Sequence, residues 1–302
     1  MNLNHQIEKL YDRQLSQWPL ASQNYADLSK MRIKAFNYNG REIIAQFNPC
    51  RYQSAAARTD SDTQKTRECF LCSEHQPHEQ ESIIWENKYK IQINPYPIFT
   101  RHLTLSSIEH RPQLITPYID DMMSMAAALP GYVLFYNGPK CGASAPDHHH
   151  FQAVPFKELP VCREAIKEDC DMTVYFPFFY IIRKKRNVAK HWFNVLENGL
   201  HELCETEEEP MQNVLCWKTA KEWHIIIVPR SKHRPACYGE GDGQFLISPA
   251  SVEMTGVWPM VRETDFDRIT ASKLQSINEE VAISEDDKEY LNEYFINNIQ
   301  YQ

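Results

Sequence analysis

No stretch of this chain stays apolar for the roughly 20 residues that a membrane-crossing helix needs. The opening residues, Met1-Asn-Leu-Asn-His-Gln-Ile-Glu-Lys9, lack the apolar core of a secretory signal. Excess positive charge is missing as well. The formal net charge is −8, which argues against a general nucleic-acid surface while leaving room for a local basic pocket. A regular cysteine framework is also absent. Nine cysteines, at 50, 69, 72, 141, 162, 170, 204, 216 and 237, are odd in number and scattered, so reduced thiols are expected. The expectation is a cytoplasmic enzyme with no nucleic-acid and no membrane partner.

What is present suits a folded enzyme. A chain of 302 residues can bury a sizeable core as one large domain or two modest ones. Its 12% aromatic content argues against disorder. Apolar spacing predicts helices over 1–30, 113–129, 157–170, 187–204, 264–281 and 285–300. Strands are predicted at 83–86, 89–94, 102–106, 132–136, 175–182, 216–218, 223–228 and 245–248. Asn39-Gly40 within 31–48 predicts a hairpin. The polar stretch 49–68 sets Arg51, Arg58, Lys65 and Arg67 just ahead of Cys69. A faint repeat relates His102–Pro112 to His224–Pro235; a duplicated half-domain explains it, and so does chance.

Residues 137–152, Asn-Gly-Pro-Lys-Cys-Gly-Ala-Ser-Ala-Pro-Asp-His-His-His-Phe-Gln, carry the most chemistry. In a strand, alternate side chains share a face, which sets His148, His150 and Gln152 together and His149 and Phe151 opposite. A neutral imidazole is a good nucleophile at phosphorus, and the other ring N–H then needs an acceptor to fix the tautomer. Gln152 can donate to a phosphate oxygen. Asn137, Lys140, Ser144 and glycine amides of the loop suit phosphate too. The bland alternative is a run of surface or core histidines. Further on, Arg230, Lys232 and Arg234 read either as an acceptor-phosphate clamp or as a solvated basic turn.

Cys69-Phe-Leu-Cys72 presents two thiols to one tetrahedral metal, unless it is a core or redox pair. His75 and His78 lie nearest, at a spacing tighter than usual for zinc. His110 and His148 make the better remaining pair.

His148-His149-His150-Phe151-Gln152 resembles the His-x-His-x-Gln motif of the transferase branch of the histidine triad superfamily. That branch holds galactose-1-phosphate uridylyltransferases, dinucleoside tetraphosphate phosphorylases and GDP-L-galactose phosphorylases. The resemblance implies His150 as carrier of the nucleotidyl group, Gln152 as its assistant, and a structural zinc on Cys69, Cys72, His110 and His148. Cys141–Gln152, Ile247–Gly256, Glu263–Phe266 and Phe47–Ser54 resemble segments of the GDP-L-galactose phosphorylases. Two departures stand out. His149 and Phe151 replace the Pro and Gly of the uridylyltransferase motif, and Trp223-His224-Ile225-Ile226 offers only one histidine where a second metal would need a pair.

The expected fold is α+β, antiparallel sheets with packed helices in two related histidine-triad-like halves. Residues 1–165 would hold the zinc and the histidine motif, and 166–302 would complete the pocket. The expected function is a nucleotidyltransferase or phosphorylase using a nucleotidyl-histidine. Its substrate would be a sugar nucleotide or dinucleoside polyphosphate and its acceptor phosphate or a sugar phosphate, with a homodimer as one assembly open to it. The alternatives are a nucleotide hydrolase of the same superfamily and a non-catalytic, zinc-stabilised nucleotide-binding module.

Overall fold

Trp18-Pro19 cuts the N-terminal apolar periodicity in two. Proline fits the first turn of a helix but not its interior. Helix α1 (Leu3–Gln17) therefore ends there, and α2 (Pro19–Asp27) starts on the proline. The computed structural model describes residues 2–38, 40–52, 68–163, 172–175, 177–206 and 208–299. Arg58, Lys65 and Arg67 lie outside the described residues, as does the 164–170 portion of the helix expected over 157–170.

Strands β1 (Arg32–Tyr38) and β2 (Arg41–Phe47) form the expected hairpin, paired from Arg32↔Phe47 to Tyr38↔Arg41. Gly40 turns it at φ 82°, a backbone state that glycine adopts freely. Strand β12 (Val257–Met260) then adds parallel to β2, completing a small sheet of order β1-β2-β12.

The large sheet has order β3-β4-β5-β7-β6-β10-β11-β9-β8 and is antiparallel throughout. Its strands are β3 (Ile83–Trp85), β4 (Tyr89–Ile93), β5 (Leu103–Ser107), β6 (Tyr132–Asn137) and β7 (His150–Pro155), then β8 (Met172–Tyr175), β9 (Phe178–Arg183), β10 (Gln212–Lys218) and β11 (Trp223–Pro229). Helix α3 (Ile119–Ala128) joins β5 to β6, and α5 (Arg186–Cys204) joins β9 to β10; the short α4 (Pro160–Arg163) lies between. The order β4-β5-β7-β6 thus recurs as β8-β9-β11-β10, each with a helix after its second strand. The two runs meet where β6 pairs with β10. The repeat read from His102 and His224 falls on the wrong strands. His102 precedes β5, whose counterpart is β9, whereas His224 lies on β11, the counterpart of the histidine-bearing β7.

One face of the large sheet carries Leu134, Tyr136, Phe151, Val214 and Ile225, which pack under α1, α3, α5 and α9 (Glu285–Asn298). The opposite face carries Phe135, Val154, Leu215, Trp217 and Ile226. It is covered by α6 (Ser251–Met254) and the end of α8 (Ala271–Val281), and beyond them by the small sheet with α7 (Glu263–Arg268). Each large apolar side chain so buried contributes roughly 1.5–3 kcal/mol. No helix among the described residues is long and apolar enough to cross a membrane.

Differences from the sequence expectations have local causes. The strand expected over 175–182 is a hairpin, β8 and β9, turned around Pro177. The helix expected over 264–281 breaks at Ile269-Thr270, where the Thr270 hydroxyl accepts the Lys273 N–H and starts α8. Residues 113–115 are not helical, because the Gln113 side chain serves the neighbouring strands. Phe245 forms only an isolated bridge with Tyr238.

Candidate active site

The histidine run straddles the start of β7. His149 points to the helical face, against Tyr118 at 4.2 Å and Phe151 at 4.7 Å between ring centroids, and burial drives its basicity down to about 2. His150 lies on the opposite face, with its backbone held by Gln113. The Gln113 Oε1 accepts the His150 N–H at 2.8 Å, and its Nε2 donates to the carbonyls of His150 (2.9 Å) and Asn137 (3.0 Å). In register, Asn137 would stand opposite His150, two positions beyond Phe135↔Gln152. The Gln113 amide fills that place and takes the hydrogen bonds of a missing ladder rung.

The His150 Nδ1 lies 2.8 Å from the His148 carbonyl, which can only accept, so Nδ1 carries the proton and Nε2 keeps its lone pair. Nε2 is buried and has no hydrogen-bond partner among the described residues. Two residues on, the Gln152 Oε1 lies 2.7 Å from the Nε2 of His102.

Cys69, Cys72, His110 and His148 place their ligand atoms within 4.8 Å of one another. The Cys69 Sγ and Cys72 Sγ lie 3.2 and 3.5 Å from the His148 Nδ1, and the Cys72 Sγ lies 3.2 Å from the His110 Nδ1. A tetrahedron built on zinc–sulfur and zinc–nitrogen bonds has sulfur–nitrogen edges of about 3.5 Å, so the donor set fits such an ion. The His148 Nε2–H donates to the Ser107 carbonyl at 2.9 Å, which turns Nδ1 toward the ligands. His75 and His78, the rival ligands, stay outside. The His75 Nδ1 binds the Cys69 carbonyl at 3.1 Å, and His78 stands exposed beside Glu79. The buried Lys90 braces the knuckle from below, donating to the Leu71 carbonyl (2.6 Å), the Ser73 hydroxyl (3.1 Å) and the Gln76 amide oxygen (3.2 Å).

Two cavities meet at Asn94, Ser144 and Gln152. The larger, about 410 Å³, has His150 in its wall and apolar sides from Trp18, Leu20, Phe70, Pro77 and Tyr96. The smaller, about 130 Å³, is polar and takes walls from both halves of the chain. Arg51 and Asn137 come from the first half; His233, Arg234, Ser248 and Glu253 come from the second. Burial lowers the Arg51 guanidinium to about 10, so it stays charged at neutral pH. Burial raises Glu253, against the pull of its Ala250 backbone bond and of Arg51 and Arg230. Burial, with Arg234 and Arg230 nearby, drops His233 to about 4.

With this geometry in hand, the likeness to known proteins has a physical basis. Residues 10–155 match a family described as a domain of unknown function, DUF4922. Residues 176–302 match the GDPGP1-like C-terminal domain. The GDPGP1-like match supports the resemblance to the histidine triad superfamily seen in the motif. Among solved structures, it is similar to yeast Ap4A phosphorylase Apa2, with a TM-score of 0.58 at 16% identity over 88% of this chain and 96% of that one. The same yeast enzyme in complex with AMP gives 0.55 at 17% identity, covering 90% and 97%, and with Ap4A 0.51 at 14%, covering 88% and 96%. At these identities the likeness is one of fold. No curated protein matches the sequence.

The structure brings together only part of the sequence-predicted site. His150 lines the larger cavity, Gln152 and Ser144 line both, and Arg51 and Asn137 line the smaller. The Asn137 Oδ1 is already occupied, accepting from Asn213 Nδ2, the Ser251 backbone and the Ser251 hydroxyl at 2.6–3.0 Å. Three residues expected as phosphate ligands have protein partners in this structure. Lys140 is an exposed side chain paired with Glu208 at 3.0 Å. Lys232 pairs with Glu280 at 3.3 Å. Arg230 is buried and spends its guanidinium on Asn213 Oδ1 and the carbonyls of Val281, Pro249, Lys232 and His233. None of the three lines either cavity. Charge marks them in the sequence, and each meets a protein partner outside those cavities. His224 is likewise internal, 2.8 Å from the Tyr180 hydroxyl and stacked on Trp217. Gln113, His102 and Glu253 escape sequence reasoning. No local spacing links the first two to the histidine motif, because strand pairing alone brings them there.

The loop beside the site has no room for a side chain at Gly142. Gly142 has φ +95°, and a Cβ there would lie 2.5 Å from the Cβ of Ala250. Gly142→Ala is expected to cost roughly 1–3 kcal/mol through backbone strain and overpacking, read as a lowered urea midpoint.

Proposed function

We propose that the protein is a nucleotidyltransferase of the phosphorylase type, and that it works through a nucleotidyl-histidine on His150. The observation that carries this reading is the unpartnered Nε2 of His150 in the wall of the larger cavity, with the tautomer fixed by the His148 carbonyl. The Nε2 lone pair attacks the α-phosphorus of a bound nucleotide. A P–N bond forms as the P–O bond to the leaving phosphate breaks. A phosphate or sugar-phosphate oxygen then attacks the same phosphorus, and the P–N bond breaks. The Gln152 amide donates to a non-bridging oxygen, where negative charge grows in the transition state. Ser144 stands at the junction of the cavities for the same purpose.

The larger cavity has the size and apolar walls of a nucleoside site. The smaller one would hold the acceptor, with Arg51 and Arg234 facing its charge. In this reading residues 1–165 supply the nucleophile and 166–302 complete the acceptor pocket. The yeast structures similar to this chain were solved with AMP and with Ap4A, which supports a nucleotide substrate. A zinc ion on Cys69, Cys72, His110 and His148 would be structural: it would fix the carbonyl of His148, and so the ring of His150.

Intact-mass analysis tests the scheme. The protein is incubated with GDP-, UDP- and ADP-sugars and with diadenosine polyphosphates, each with and without phosphate. A mass gain of one nucleoside monophosphate, discharged by phosphate, is expected. An adduct discharged equally fast by water favours hydrolysis. No adduct with any nucleotide, with metal retained, favours a binding module.

A further inference from the structure

His102 is fully buried at the entrance to β5 and plays no part in the chemistry described above. Its surroundings fix its tautomer without ambiguity. The backbone N–H of Ile98 donates to its Nδ1 at 3.2 Å, and a backbone N–H cannot accept. Nδ1 is therefore the bare nitrogen, and Nε2 bears the proton. That N–H points at the Gln152 side chain, 2.7 Å from Oε1. An amide has one end that accepts and one that donates, and the hydrogen-bond network decides which is which. Here the choice is forced: a flipped Gln152 would set its NH₂ against the His102 N–H, donor against donor, in a buried place. With Oε1 held by His102, the Gln152 NH₂ is the end left for the cavities that Gln152 lines.

From this chain of bonds we propose that His102 is a positioning residue for the transfer reaction: it locks the Gln152 amide with its donor end toward the reacting phosphate. The proposal rests on the function proposed above. Strand register supports it, since Thr104 stands opposite Gln152 and His102 precedes Thr104 on the same face. Burial, reinforced by the Arg51 charge, keeps the imidazole neutral, with a value of about 3, so the single Nε2 proton persists across the working pH range. A protonated ring would have no acceptor for the Ile98 N–H.

A double-mutant cycle on the full chain tests this. Adduct formation is timed in a single turnover for His102→Phe, Gln152→Leu and the double variant, with nucleotide affinity and bound metal measured alongside. Removing a donor aimed at developing charge slows chemistry by about 10²-fold or more. Each single variant is expected to lose about that factor with affinity little changed, and the double variant no more than either alone. His102→Gln, which can still present a donor, is expected to recover part of the loss. An unchanged rate in His102→Phe, or losses that multiply in the double variant, would overturn the proposal. The ring tautomer of wild-type His102, read by ¹⁵N NMR, is independent of activity and of whether the variants fold. A proton found on Nδ1 refutes the proposal, whereas a wild-type chain that forms no adduct refutes the transfer reading on which it rests.

Discussion

His150→Ala is expected to abolish nucleotidyl transfer, with kcat falling roughly 10⁴-fold or more, as removal of a nucleophile does in enzymes that form covalent intermediates. The adduct seen by intact mass should vanish with it. The fold should survive, because the features that hold this position are main-chain. The Gln113 amide binds the backbone N–H and carbonyl of residue 150, and neither bond needs the imidazole. Metal content should also be unchanged, since His148, not His150, belongs to the candidate metal cluster and its Nε2–H bond to Ser107 is untouched. Loss of transfer together with loss of metal or of cooperative melting would mean that His150 is structural. A variant that still accumulates the adduct would move the nucleophile elsewhere.

The second large effect is expected from the Cys69–Cys72 knuckle, the candidate metal site. Cys72→Ser should lower bound zinc from about one per chain toward none. It should also lower the melting temperature by on the order of 10 °C, since structural zinc sites contribute many kcal/mol to folding. The damage should reach substrate binding. Phe70, Leu71, Gln76 and Pro77 of this same segment form a wall of the larger cavity, and Lys90 ties Leu71, Ser73 and Gln76 together beneath it. Nucleotide affinity should therefore weaken along with stability, and atomic-absorption, calorimetric and binding measurements should move together. His75→Ala is the matched control, because His75 sits beside the cluster without joining it. Full metal content and unaltered melting in Cys72→Ser would eliminate the metal site.

The sequence disclosed the parts of the site that are written locally. Cys69 and Cys72 sit on one turn, and the histidine run crosses a loop-to-strand junction, so their chemistry shows in their spacing. It hid what strand pairing assembles. Gln113 reaches His150 because the chain folds back beside β7 before entering α3, and His102 reaches Gln152 because β5 lies next to β7. Basic residues are ambiguous for a different reason. Arg230, Lys140 and Lys232 look alike when only their charge is known. One donates to buried carbonyls, and two pair with carboxylates nearer the surface. Periodicity gave the helices facing the large sheet but could not foresee β12, whose Trp-Pro-Met reads as neither a strand nor a turn. Its partner β2 lies more than two hundred positions earlier.

That last pairing governs when the protein can become complete. As the ribosome releases the chain, the hairpin of β1 and β2 emerges more than two hundred residues before β12. Pro259 and Val261, which accompany that late strand, are also part of the lining of the polar cavity. A chain not yet extended to β12 can thus hold His150 and the Cys69, Cys72, His110 and His148 cluster while the polar cavity still lacks part of its wall. Closure of the small sheet, a long-range contact that carries a high entropic cost, then completes the chamber.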